Sequence, residues 1–191
     1  MARRMGKGDA LVMLDMQNDF FPGGPMEVAG AEEVVPVLND WIREARDTEA
    51  LLIAVRDWHT VDHVSFESEG GPWPPHCVQD TPGSFFHPSL RLPYNLVVVS
   101  KGCAFDTDAH SAFDGTGLES FLRKRGIERL WIGGLNEETS VRRTVEDACR
   151  LGFETHVIVA ATRPLEPAAA EGVLAALSNR GAVLEQPRNR A

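Results

Sequence analysis

The 191-residue chain has few cysteines, a shortage of positive charge and no long apolar run. Its cysteines, Cys77, Cys103 and Cys149, are widely spaced and form no Cys-x-x-Cys pair, so neither a disulfide framework nor a thiolate zinc site is indicated. The 19 basic and 28 acidic residues give a formal net charge of -9, which repels phosphate backbones and anionic membrane surfaces. We therefore expect neither a nucleic acid nor a membrane as a partner.

The N-terminus carries no convincing targeting segment. Residues 1–7 are basic, like the start of a signal peptide, but the apolar run over residues 10–14 is too short and ends at Asp15. No segment approaches the roughly 20 apolar residues of a membrane-spanning helix. These features predict a cytoplasmic protein, and the length predicts a single domain over residues 1–191, since domains commonly have about 100–200 residues.

Short apolar segments alternate with helical patterns along the chain. The apolar segments are continuous, as in strands that helices cover on both faces. The expected strands are residues 10–15, 51–55, 95–99, 130–133, 155–160 and 182–184. The expected helices are residues 31–47, 118–124, 140–151 and 167–178. The alternation predicts an α/β fold of three layers (α/β/α) around a doubly wound, mainly parallel sheet of about six strands.

Residues 57–94 interrupt this alternation. They contain half of the 12 prolines and four of the six histidines, and they show no clear strand or helix pattern. A long segment of this kind within a compact domain is usually functional. We therefore expect this region to bind metal and substrate.

Four potential metal ligands lie at the start of this region. Asp57 and His59 are two residues apart, so they point to the same side of an extended chain. His63 follows a short turn, and His76 follows two prolines that stiffen the loop. Scattered core or surface histidines are the structural alternative, but three histidines and an aspartate in one loop-rich region favour a metal site. The ligand set suits zinc, with iron(II) and manganese(II) as alternatives.

Three further polar residues each follow a different expected strand. Asp15, Lys101 and Ser140 can therefore meet at the carboxyl edge of the sheet, where they would supply a base, a charge stabiliser and a nucleophile. Each also has a structural interpretation: Asp15 caps a turn, Lys101 ends a strand in solvent, and Ser140 or Thr139 is a helix N-cap. Spacing alone favours the structural interpretations.

Specific motifs are spread over nearly the whole chain. They include DMQNDFFPGG at residues 15–24, DWH at 57–59, HVSF at 63–66, GGPWPPHC at 70–77 and VRRTVEDA at 141–148. Together they resemble the nicotinamidase and pyrazinamidase branch of the isochorismatase-like cysteine hydrolases. The resemblance implies an amidohydrolase that cleaves a small pyridine-type carboxamide to the acid and ammonia through a covalent acyl intermediate, as in NAD salvage.

The resemblance also implies a role for each site residue. The implied metal ligands are Asp57, His59, His63 and His76. Asp15 would accept the proton of the nucleophile, with Lys101 as its electrostatic partner. Phe20 and Trp73 would enclose a flat ring. The backbone N–H groups of Asn136 and Ser140 would form an oxyanion hole, next to a cis peptide bond at Leu135–Asn136.

The chain departs from this family at the nucleophile, which is normally a cysteine. The segment at residues 136–141 reads NEETSV, and the flanking motifs align Ser140 with the cysteine. Three interpretations are open: an engineered Cys-to-Ser change that stops turnover, a natural serine nucleophile with slower chemistry, or a catalytically silent protein that binds a metal and a small ligand. The intact Asp15, Lys101 and metal ligands favour the amidohydrolase. A homo-oligomer is compatible with all three.

Overall fold

A computed structural model describes residues 5–186, so residues 1–4 of the basic N-terminus lie outside the described part. The strands are β1 (Asp9–Leu14), β2 (Leu51–Asp57), β3 (Val97–Lys101), β4 (Arg129–Leu135), β5 (Glu154–Arg163) and β6 (Val183–Glu185). The helices are α1 (Ala31–Asp47), α2 (Leu118–Lys124), α3 (Arg142–Arg150), α4 (Pro167–Ala170) and α5 (Val173–Asn179). The strands pair in parallel in the order β3-β2-β1-β4-β5-β6, which confirms the doubly wound sheet.

Each face of the sheet packs against its own set of helices. Because successive side chains of a strand point to opposite faces, Leu11 and Met13 of β1 join a core with α1, whereas Val12 and Leu14 join a second core with α2, α3 and α5. We call these the α1-side core and the α3-side core. Residues 9–14 are buried throughout, which explains why the strand reads as a continuous apolar run and confirms the three-layer fold.

Two expected helices differ from the structure. The expected helix at 140–151 begins as a π-helical turn, Glu137–Val141, and becomes α-helical only at Arg142. The expected helix at 167–178 is divided into α4 and α5, because Gly172 between them adopts a left-handed conformation with a φ of 79°. Helices α1 and α2 have the expected bounds.

Residues between β2 and β3 form the expected irregular region. They contain only two short 3-10 turns, Glu67–Glu69 and Pro82–Ser84. The region lies beyond the carboxyl end of β2, next to the ends of β1 and β3, which positions its side chains for the site described below. No helix among residues 5–186 is long and apolar enough to cross a membrane.

Candidate active site and metal site

Lys101 lies at the centre of a cluster at the carboxyl edge of the sheet. It ends β3 opposite Asp57 in the parallel register, and it is only 2% exposed. Its Nζ donates a hydrogen bond to Oδ1 of Asp57 and lies 3.3 Å from Oδ2 of Asp15 and 3.4 Å from Oγ of Ser140. One buried ammonium thus contacts side chains at or beyond the ends of three other strands, and the interpretation of Lys101 as a solvated strand end is wrong.

Asp15 is fully buried directly after β1. Its backbone is left-handed (φ 55°), and its N–H donates a hydrogen bond of 3.0 Å to the carbonyl of Val55. Neither carboxylate oxygen has a well-oriented hydrogen-bond donor among the described residues, although the Lys101 ammonium is close. Burial raises the pKa of Asp15 to about 7, against the opposing attraction of Lys101. A carboxyl group with such a pKa can accept and return a proton near neutral pH.

The ion pair of Lys101 and Asp57 stays charged despite its burial. Burial alone would lower the pKa of Lys101, but the carboxylates of Asp15 and Asp57 outweigh it and the pKa is raised. Burial alone would likewise raise the pKa of Asp57, but Lys101 and the nearby His59 and His76 outweigh it and the pKa is lowered. Asp57 is therefore ionised at neutral pH, as a metal ligand must be.

Asp57, His59 and His76 are arranged so that they could hold a divalent metal. One ligand atom from each lies within 4.8 Å of the others, and all three residues are buried. The Nδ1–H of His59 donates to the carbonyl of Gly102 at 3.1 Å, and that of His76 donates to the carbonyl of Pro74 at 2.8 Å. Because a carbonyl only accepts, both rings keep the Nε2 lone pair for a metal, which is the usual arrangement of ligating histidines. Burial lowers the pKa of His59 to about 4, so its ring is neutral.

His63 lies against this group without joining it. Its ring centroid is 4.2 Å from that of His59, and its Nδ1 is 2.7 Å from Oγ of Ser65. Its Nε2 is buried with no hydrogen-bond partner among the described residues, and a bound metal would satisfy such an atom. The role of His63 as a fourth ligand stays a prediction.

Two residues that position the site were missed in the sequence. Gln17 pairs with the backbone of Asp57 at the end of β2: its Nε2 donates to the Asp57 carbonyl (2.7 Å), and its Oε1 accepts from the Asp57 N–H (2.8 Å). The same Nε2 also donates to the carbonyl of Ser84 at 2.9 Å. Gly102 has a φ of 65°, and a Cβ there would lie 2.5 Å from Cε1 of His59. A glycine directly after Lys101 was a sequence signal for a close approach of the backbone to another group. The contact of Gln17 with Asp57, 40 residues away, has no such signal in the sequence.

The cluster opens into a cleft with two unlike walls. The cleft contains about 390 Å³ of space free of protein atoms, including its open mouth. Its apolar wall packs against the α1-side core and consists of Phe20, Met26, Trp73 and Leu165. Its polar wall follows β3 and consists of Asp108, Ala109 and His110. The structure thus brings the two predicted ring-binding residues, Phe20 and Trp73, into the same cleft as Lys101 and Ser140.

The turn after β4 places Ser140 in this cleft. Asn136 makes the turn with a left-handed backbone (φ 60°, ψ 62°), and Ser140 follows in the π-helical turn with 3% exposure. The expected cis peptide bond at Leu135–Asn136 is wrong, because no peptide bond of the described residues is cis and the left-handed Asn136 reverses the chain instead. The N-cap interpretation of Thr139 and Ser140 is also wrong, since Asn136 and Val141 hold the cap positions. The oxyanion hole stays a prediction.

The chain is similar in sequence and in structure to known proteins. The model of the isochorismatase domain matches residues 9–186 of the chain. A nicotinamidase/pyrazinamidase of Mycobacterium tuberculosis is 39% identical over 158 residues, covering 78% of this chain and 83% of the relative. A nicotinamidase of Acinetobacter baylyi is 34% identical over 179 residues, covering 82% of each chain. The crystal structure of the pyrazinamidase of Pyrococcus horikoshii in complex with zinc matches with a TM-score of 0.91 at 40% sequence identity, covering 94% of this chain and 99% of that one.

Proposed function

Because the chain belongs to the isochorismatase family, in its nicotinamidase and pyrazinamidase branch, we propose that it cleaves a small pyridine-type carboxamide such as nicotinamide to the acid and ammonia. The observation that carries this proposal is the contact of the buried Lys101 ammonium with Asp15, Asp57 and Ser140. These contacts join a proton acceptor, a metal ligand and a nucleophile in one cleft. Production of nicotinate from nicotinamide would serve NAD salvage.

Substrate binding uses the apolar wall and the metal site. Phe20 and Trp73 provide aromatic surface for a flat ring. Asp57, His59 and His76 hold the metal, with His63 as the fourth ligand, and the donor set fits zinc. A metal held by these residues would act as a Lewis acid toward the ring nitrogen of the substrate. The residues around Lys101 act on the carboxamide group of the substrate.

The first half of the reaction forms an ester on Ser140. Asp15 accepts the hydroxyl proton as Oγ of Ser140 attacks the amide carbon. The backbone N–H groups of Asn136 and Ser140 stabilise the negative charge that develops on the amide oxygen. Asp15 then returns its proton to the leaving nitrogen, the C–N bond breaks, and ammonia departs.

The second half releases the acid. Asp15 accepts a proton from a water molecule as the water oxygen attacks the ester carbon. The bond to Oγ breaks, and Ser140 recovers its proton from Asp15. Each half-reaction therefore takes one proton onto Asp15 and returns it, which suits a carboxyl group whose pKa burial has raised to about 7.

Ser140 makes this chemistry slower than a cysteine would. A thiol has an ordinary pKa of about 8.5, which is close to that of Asp15, whereas a serine hydroxyl is far harder to deprotonate. A second candidate function is therefore binding of a metal and a small carboxamide without turnover. The observation that favours it is the serine itself, since the other site residues are in place.

The test compares the wild-type chain with Ser140→Ala, both loaded with zinc and incubated with nicotinamide. Equal amounts of ammonia and nicotinate from the wild type, and none from Ser140→Ala, would support hydrolysis. Calorimetric binding of nicotinamide without product would support the second function. Neither binding nor product would contradict both. Elemental analysis after reconstitution tests the metal separately, and a Cys103→Ala variant, which removes an exposed thiol that does not line the cleft, is a control for zinc bound outside the site.

A further inference from the structure

The polar wall of the cleft carries a carboxylate that the proposed reaction does not use. Asp108 lines the cleft, and its side chain is 29% exposed. Its Oδ1 accepts a hydrogen bond from the N–H of Ala109 at 2.8 Å, and its Oδ2 lies 3.6 Å from Nε2 of His110. No lysine or arginine among residues 5–186 forms an ion pair with it. Its negative charge is therefore not neutralised by a lysine or arginine of these residues, and it can repel an anionic ligand in the cleft.

The polar wall is fixed to the helix that follows Ser140. Oδ2 of Asp114 accepts hydrogen bonds from the N–H groups of His110 (3.0 Å) and Ser111 (2.8 Å). The N–H of Ala112 then donates to Oγ1 of the buried Thr144 on α3 at 2.9 Å. These contacts attach residues 110–112, which follow Asp108 closely in the chain, to α3.

The proposed reaction changes the charge of its ligand. The amide is neutral, and the acid that leaves is an anion at neutral pH. The floor of the cleft carries the Lys101 ammonium and, when loaded, a divalent metal. Asp57 and Asp15 already oppose the charge of Lys101, but a bound divalent metal would add two positive charges that attract the carboxylate of the product. A further negative charge in the wall would oppose that attraction.

We propose that Asp108 is a specificity residue that weakens binding of the anionic acid relative to the neutral amide. The inference rests on the proposed function, because it takes the amide and its acid as the ligands. Asp108 lines the same cleft as Lys101 and Ser140, so its charge faces a carboxylate bound there, and a separation of roughly 8 Å serves as an order-of-magnitude value. Two like charges at that distance weaken binding about 2- to 30-fold, between a water-like and a protein-like dielectric constant.

The test measures the dissociation constants of nicotinate and nicotinamide for the zinc-loaded full chain by calorimetry. It is carried out at about pH 8 and at low salt, because salt screens the interaction between charges. We expect Asp108→Asn to tighten nicotinate binding about 2- to 30-fold and to change nicotinamide binding less than twofold. Asp106→Asn is the matched control, because it removes the same charge from an exposed position of the same loop that does not line the cleft. It should change neither constant.

The charge rather than the shape of Asp108 should decide the outcome. Asp108→Glu restores a carboxylate and should keep the wild-type ratio of the two constants. Unchanged nicotinate binding in Asp108→Asn, or an equal change for both ligands, would overturn the inference while leaving nicotinamide binding, and with it the proposed function, intact. Failure of the wild type to bind nicotinamide would overturn the proposed function and the inference together.

Discussion

Replacing Asp15 with asparagine should abolish turnover and yet make the protein more stable. Asp15 is fully buried, and burial raises the pKa of its carboxyl group from 3.8 to about 7 even with Lys101 beside it. The ionised form is therefore less favourable in the folded protein than in the unfolded chain. Asparagine has nearly the shape of the protonated carboxyl group and cannot ionise, so it removes that cost.

The size of the effect follows from the shift and depends on pH. Between about pH 4 and pH 7 the folded wild type holds a proton on Asp15 that the unfolded chain has released, so wild-type stability falls as pH rises through this window. Asp15→Asn lacks this loss. Its gain is absent below about pH 4 and complete above about pH 7, where the rise in the pKa of Asp15 from 3.8 to about 7, which already includes the attraction of Lys101, corresponds to about 2–4 kcal/mol.

The assay is thermal and urea unfolding of the metal-free proteins at about pH 5 and pH 8. We expect the melting temperature of Asp15→Asn to exceed that of the wild type by roughly 5–15 °C at pH 8, and by much less at pH 5. Asp57→Asn is the matched control with the opposite sign, because the pKa of Asp57 is lowered and its ionised form is stabilising. An Asp15→Asn variant that is less stable than the wild type at pH 8 would refute the reasoning.

Other consequences are open to measurement. Lys101→Met leaves two buried carboxylates without their ammonium and should cost about 3–5 kcal/mol in urea unfolding at pH 7; a loss below about 1 kcal/mol would contradict the buried ion pair. Gly102→Ala brings a Cβ within 2.5 Å of the His59 ring and should weaken zinc binding about 10- to 100-fold in chelator competition. Gly115→Ala, with the same left-handed φ but open space, should not; equal losses would argue for backbone strain alone. His156→Gln disturbs a buried imidazole between two carboxylates and should cost about 1–3 kcal/mol in thermal unfolding, and no loss would show those contacts to be neutral.

The sequence was most informative where physical rules act locally or along one strand. Continuous apolar runs located all six strands, since parallel strands are buried on both faces. The rule that ligands lie beyond the carboxyl ends of strands indicated that Asp15, Lys101 and Ser140 could meet at one edge of the sheet, although spacing alone favoured a structural interpretation of each residue. The period of apolar residues gave the bounds of α1 correctly, because its buried face is regular over 17 residues.

Some features escaped prediction because they depend on contacts between distant segments, and others because they are short local features of the backbone. The segment that follows Asp108 is attached to α3 by a hydrogen bond between Ala112 and Thr144, which are 32 residues apart. The π-helical turn before α3 has no periodic signature, since it lasts only five residues. The left-handed backbone of Asn136 involves a single residue, so it also leaves no periodic pattern in the sequence. A cis peptide bond was expected in its place. The division at Gly172 could have been anticipated, because glycine commonly ends a helix.

Ammonia release by Ser140→Cys tests most directly whether this cleft is arranged for nucleophilic cleavage of an amide. The measurement compares zinc-loaded Ser140→Cys, wild type and Ser140→Ala with nicotinamide as substrate. We expect the cysteine form to release ammonia and nicotinate in equal amounts and faster than the wild type, because a thiol proton passes to Asp15 more easily than a hydroxyl proton. Ser140→Ala should release none. A folded, zinc-loaded Ser140→Cys that releases no ammonia, together with an inactive wild type, would contradict the account.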